Sequence, residues 1–260
     1  LVLLLFVDLD FDLAALRTLG GFSVLRTGVP PGSLLPTLAR AYAPPPDDGG
    51  SDVYGDPIIF RVRKVAKSLR APETRIAVSV AQQALAARLW SVSLGAAALY
   101  GTLPDLDPRL LAWDPDASTP EELWLSEVRA LPATALGEMV LDGHLVPLAA
   151  ALRARYTVSA RLLWGNVGAA LAGAVRLLDR WARETGRPEA AERVRALAAP
   201  LLAHPDLSWT LAPGTLRRRS CCLYYRLPGA GLCGDCCFDR VPRTRAGSRT
   251  PRSSPGATSE

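Results

Sequence analysis

The 260 residues (27.8 kDa) are enough for one large domain or two small ones, and at 49% apolar and 21% charged they have the make-up of an ordinary globular chain rather than a disordered one. The formal net charge of +5 is local: from Arg217 to Glu260 there are nine Arg, no Lys and three acids, which leaves the preceding residues at −1. A neutral body excludes a nucleic-acid surface built on distributed positive charge, and the near-total preference for Arg over Lys reads as coding bias rather than as phosphate contacts.

Residues 1–7 are apolar and precede Asp8, Asp10 and Asp12. They lack the basic n-region, the longer apolar run and the small-residue cleavage site of an export signal. A helix is expected from Asp12, acting as its cap, to Gly20, and a short strand over 24–27. Residues 44–50, Pro-Pro-Pro-Asp-Asp-Gly-Gly, form a loop by composition. Helices are expected over 57–69 and from Pro72 or Glu73 to Tyr100. In the longer one Val78, Ala81, Leu85, Leu89, Val92, Leu94 and Leu99 make a buried stripe, and Gly95 allows a neighbour to approach. Arg75, Gln82, Gln83 and Arg88 interrupt it, so no window there reaches the ~18 apolar residues of a membrane span.

Residues 110–113 and 123–125 read as short strands of a hairpin around the turn at 114–120. Asp105, Asp107, Asp114 and Asp116 are turn and cap chemistry, because the calcium-loop pattern with its terminal Glu is absent. Helices over 139–156, 158–184 and 188–202 complete a mainly α chain with a few short strands. His144, Leu148 and Leu152 share a face of the first of these; Leu162, Leu163, Val167, Leu171, Ala174, Val175, Leu178 and Trp181 share a face of the second. His144 and His204 have no Cys or carboxylate partner at ligand spacing, and His204, before Pro205, belongs at a helix end.

All five cysteines fall between Cys221 and Cys237, in the order C-C-x10-C-x2-C followed by Cys237. Cys233-Gly234-Asp235-Cys236 has the form of a metal knuckle. The vicinal pair Cys221-Cys222 is less ordinary. Neighbours on an extended chain point to opposite faces, so both serve one centre only if the backbone kinks or if there is more than one metal ion to reach. Two irons offer that second ion, while a single zinc does not; a zinc knuckle and a disulfide framework remain as alternatives to iron and sulfide. Pro228, Gly229 and Gly231 are turn residues, with both glycines free to take positive φ and fold Cys233 back over Cys222.

This stretch resembles the C-terminal signature of the FhuF-like ferric-siderophore reductases, which hold a 2Fe-2S cluster with C-C-x10-C-x2-C. The resemblance implies Cys221, Cys222, Cys233 and Cys236 as the ligands and leaves Cys237 outside the set. Leu163-Trp164-Gly165-Asn166 is similar to an L-W-x-N stretch of the same family, with ordinary packing as the competing account of Trp164 and Gly165 and a structural hydrogen bond as that of Asn166. What it implies is an oxidoreductase of the cytoplasm that reduces the Fe(III) of a ferric siderophore to Fe(II), fed by a separate donor, a ferredoxin or an NAD(P)H-dependent flavin reductase. No G-x-G-x-x-G follows a strand, so no nicotinamide or flavin site of its own is indicated. Arg218, Arg219, Tyr224, Tyr225, Trp164 and Asn166 are the candidate substrate contacts. The expected organisation is a helical body over 1–216, a cluster segment over 217–238 packed on it, and a disordered Arg/Ser/Pro tail over 239–260. No transmembrane segment is expected; peripheral membrane contact and oligomeric state stay open. The competing classes are a 2Fe-2S electron carrier without a siderophore site and a zinc-stabilised helical binding protein.

Overall fold

The computed structural model describes residues 13–44, 54–117 and 123–242. The apolar start, the Asp12 cap, most of the loop at 44–50, the tip of the hairpin and the tail beyond 242 lie outside the described residues.

The helices begin where the sequence supplies caps. Thr37 accepts from the Arg40 N–H and opens α1 (Leu38–Tyr42); Asp56 Oδ1 accepts from the N–H groups of Ile58 and Ile59, both at 3.0 Å, and opens α2 (Pro57–Ser68) with proline at its first position. Gly101, at φ 75°, ends α3 (Thr74–Tyr100) in the left-handed conformation. The remaining helices are α4 (Val146–Arg155), α5 (Ala160–Glu184) and α6 (Pro188–Leu202). The expected helix over 139–156 is wider-wound at its start, a π-helix over Glu138–Leu145 that runs on into α4.

The fold is mainly α, and α3 is its centre. It packs along α5 and also meets α2 and α6, so that it is covered on nearly every side. Even Gln82 and Arg88, which interrupt its apolar run, are buried. Gly95 is the expected point of close approach: a Cβ there would stand 2.9 Å from Leu19 Cδ1. Short strands sit at the far side. β1 (Arg26–Thr27), β2 (Thr102–Pro104), β3 (Leu111–Trp113), β4 (Leu123–Leu125) and β5 (Ala130–Pro132) form a three-stranded sheet in the order β1-β4-β3 and a separate antiparallel pair, β2-β5. The hairpin of β3 and β4 matches expectation. The β2-β5 pair does not, because each strand ends in a proline that cannot donate to a ladder and so masks the pattern.

Among the described residues, by length and composition alone, one continuous helical stretch, Ala133–Arg155, could cross a membrane, but 56% of its most apolar window is buried within the fold. Its His144 has Tyr42 Oη at 3.0 Å from Nδ1, while Nε2 meets the Leu106 carbonyl at 2.5 Å. His144 is thus a core residue. His204 lies just beyond the end of α6, where its Nδ1 accepts from the Asp206 N–H. Three of the four aspartates behave as turn residues, Asp105, Asp107 and Asp114 accepting from backbone N–H groups two or three residues on, while Asp116 pairs with Lys64 at 2.6 Å.

Candidate metal centre

Two glycines of α5 make room for the cysteine segment. A Cβ on Gly165 would stand 1.8 Å from Ser220 Oγ, and one on Gly168 would stand 2.1 Å from Thr210 Oγ1. The chain after α6 therefore lies directly on the helix backbone. It turns back on itself there, with the Arg219 N–H donating to the Thr210 carbonyl at 2.8 Å and the Ala212 N–H to the Arg217 carbonyl at 2.7 Å.

This turn delivers Cys221 and Cys222, and Leu223 supplies the kink that the vicinal pair requires. Its φ of 69° is a left-handed conformation costing a branched side chain about 1–3 kcal/mol. The kink aims the Leu223 N–H at Cys221 Sγ, 3.2 Å away. A 3-10 turn over Tyr224–Arg226 follows. Gly229 has φ 73°, whereas Gly231 does not use the positive-φ region open to it. The second knuckle is closed by the Cys236 N–H to the Cys233 carbonyl at 3.1 Å, and the Phe238 N–H points at Cys236 Sγ from 3.4 Å. Arg217 clamps it, its Nε and Nη2 donating to the Cys236 carbonyl at 3.0 and 2.8 Å.

The fold thus brings Cys222 back over Cys233, with their sulfurs 3.5 Å apart and all five cysteines free. That spacing is close to the edge of about 3.8 Å in a tetrahedral thiolate site with metal–sulfur bonds near 2.3 Å. Among the described residues no three His, Cys, Asp or Glu side chains converge on one point. The neighbouring Cys233 thiol and the Arg218 charge hold Cys222 down to about 6, while the hydrogen bond to Cys222 and burial push Cys233 up. Burial raises Cys221 and takes Cys237 up to about 11.

Behind the sulfurs lies a buried polar network. The Arg218 side chain is wholly covered; Nη2 donates to Asn166 Oδ1 at 2.9 Å and to the Gly165 carbonyl at 3.3 Å, and Nε faces the Asp235 carboxylate at 3.5 Å. Neither Nε nor Nη1 has a hydrogen-bond acceptor among nitrogen and oxygen atoms. Orphaned cationic donors against Asp235, between Cys233 and Cys236 in the chain, fit an anionic sulfur cluster, as do the two N–H groups aimed at Sγ atoms. Asn166 Nδ2 donates to the carbonyl and Oγ of Ser79 and to Gln82 Oε1, all at 3.0 Å, and Ser79 Oγ donates to the Cys222 carbonyl at 2.8 Å.

A pocket of about 790 Å³ opens between α3, α5 and the cysteine segment. Small residues, Ala84, Ala87, Ala170 and Gly173, leave the space, and Cys222, Cys233 and Tyr224 form part of its wall. Of the candidate substrate contacts only Tyr224 lines it. Tyr225 is stacked edge-on against Phe238 at 5.7 Å, Trp164 is half-buried against the core, Arg219 is exposed elsewhere, and Arg218 and Asn166 are inside the protein. Gln83, Phe22 and Arg176, which do line the pocket, carry no local signal in the sequence; the runs of alanine on both helices are the nearest to one.

Comparison with known proteins agrees with this geometry. Residues 73–221 match the family described as ferric iron reductase FhuF-like transporter, and residues 218–238 match the FhuF 2Fe-2S C-terminal domain. The ferric siderophore reductase of Escherichia coli (strain K12) is 30% identical over 109 residues, which cover 38% of this chain and 39% of that protein. The match to that relative therefore spans about two-fifths of its length. With more than half of the chain in the first match and the cysteine segment in the second, the protein belongs to the FhuF-like ferric reductase family and carries its 2Fe-2S domain.

Proposed function

We propose that the protein is a ferric-siderophore reductase, in which Cys221, Cys222, Cys233 and Cys236 hold a 2Fe-2S cluster and the adjoining pocket takes the iron chelate. The observation that carries this reading is the wall shared by Cys222 and Cys233 with the pocket of about 790 Å³. When bound, the cluster supplies one electron at a time. Fe(III) is held tightly by the hard oxygen donors of a siderophore and Fe(II) far less so; one electron delivered across that wall releases the metal. The pocket residues bind and orient: Phe22 and Tyr224 offer aromatic faces, and Gln83 and Arg176 offer donors to oxygen-rich chelates. Cys221, Cys236 and Cys237 lie off the pocket wall, beside the exposed Phe238 and Arg240, and on our reading a separate donor protein such as a ferredoxin meets the chain on that side. We place the reaction in the cytoplasm, whose reducing conditions keep thiols available as ligands.

The test is anaerobic purification followed by absorption and EPR spectroscopy, then release of Fe(II) from ferric siderophores to a ferrous chelator. A coloured protein with a one-electron EPR signal on reduction, releasing Fe(II), is the expected result. A colourless zinc-loaded protein would sink the reading, and a cluster that cycles without releasing iron would leave the electron-carrier class in its place.

A further inference from the structure

A buried guanidinium is costly unless it is paired, and Arg218 is only half paired by the protein. Its Nη2 is used on Asn166 and Gly165, whereas Nε and Nη1 lack a hydrogen-bond partner; its backbone N–H donates to the Asp235 carbonyl at 3.0 Å, inside the Cys233–Cys236 knuckle, and its charge lowers the Cys222 thiol. Its ion-pair partner among the described residues, Asp235, stands at 3.5 Å, outside hydrogen-bond geometry. Asn166 cannot turn its amide round, because its Nδ2 already serves three acceptors on α3 and a flip would set N–H groups against the arginine. The amide therefore presents Oδ1 to Arg218 and nothing else.

Resting on the four-cysteine reading above, we infer that Arg218 sets the reduction potential of the cluster and that Asn166 is the positioning residue that holds its charge against Cys222. Reduction would add one negative charge close to a guanidinium that is itself removed from water. A fixed cation beside a ligating sulfur stabilises the reduced form more than the oxidised one and so raises the potential. Gln82 and Ser79 hold Asn166, Asn166 holds Arg218, and Ser79 Oγ also donates to the Cys222 carbonyl, so both long helices are tied to that task.

The experiment is an anaerobic EPR-monitored redox titration of Arg218→Gln, Arg218→Lys and Asn166→Asp in the full chain. Arg218→Gln removes the charge while keeping polarity, and the midpoint is expected to fall by at least a tenfold change in the ratio of reduced to oxidised protein, about 59 mV for one electron. Asn166→Asp keeps an oxygen on Arg218 but adds a compensating negative charge, so the midpoint moves the same way; Arg218→Lys moves it less. Unchanged midpoints in Arg218→Gln and Asn166→Asp overturn the inference. So does failure of both to take up iron and sulfide, which makes the arginine a folding tie. A wild-type protein without a 2Fe-2S signal sinks the ligand assignment instead, which keeps the two failures apart.

Discussion

At Gly165 a hydrogen atom in place of a side chain lets the cysteine segment reach its seat. The methyl group of alanine would overlap Ser220 Oγ at 1.8 Å and crowd Ser220 Cβ at 3.1 Å, and Ser220 directly precedes Cys221. Alanine also favours the helix by about 1 kcal/mol, so Gly165→Ala keeps α5 but lifts the segment from it. The expected outcome is unchanged helical circular dichroism with a severalfold loss of visible absorption per protein, partly recovered by adding Ser220→Gly. Among the cysteines, Cys222→Ser and Cys236→Ser are expected to abolish the absorption bands, whereas Cys237→Ser, outside the C-C-x10-C-x2-C set, leaves them in place. The spacing of the cysteines was legible in the sequence. The purpose of Gly165 was not, since nothing local to a helix tells which of its faces a segment fifty residues later will cover.

Arg155, in the last turn of α4, ties three helix ends together. Its Nε meets Asp56 Oδ2 at 2.5 Å and its Nη2 donates to the Ala43 carbonyl at 2.7 Å, with both charged side chains buried. Asp56 meanwhile spends its other oxygen on capping α2. Removing one partner of such a pair leaves a buried charge uncompensated, so Arg155→Ala is expected to lose about 3–5 kcal/mol, read as a lower midpoint in urea unfolding. The cap itself could be read from Asp56-Pro57, and the starts and ends of the long helices from proline, glycine and apolar spacing. The ion pair joins residues 99 positions apart and leaves no periodic trace. The π-helix before α4 is equally silent, because its wider winding keeps the same apolar residues inside.

Across the whole molecule, the two ends of the fold have separate duties. One end holds the pocket, made from small residues on α3 and α5; Ala84→Trp fills it and is expected to slow Fe(II) release tenfold or more while the visible spectrum stays unchanged, measured side by side on one preparation. Only the alanine content hinted at that pocket, since its walls come from segments more than a hundred residues apart. The other end is held by His144, whose neutral ring bridges Tyr42 in α1 and the Leu106 carbonyl. Burial lowers its pKa from the ordinary 6.5 to about 4. Above pH 6.5 the ring is neutral in both folded and unfolded chains, and its contribution is present in full. Between 6.5 and 4 the unfolded chain takes up a proton that the folded one refuses, so stability falls with acid; below about 4 both are protonated and the loss levels off. Glutamine can serve the same two partners without titrating. Between pH 7.5 and 4.5 the wild type is therefore expected to lose roughly 2 to 3 kcal/mol relative to His144→Gln in urea unfolding. A difference that stays flat across that range would show that the ring carries its proton inside the fold.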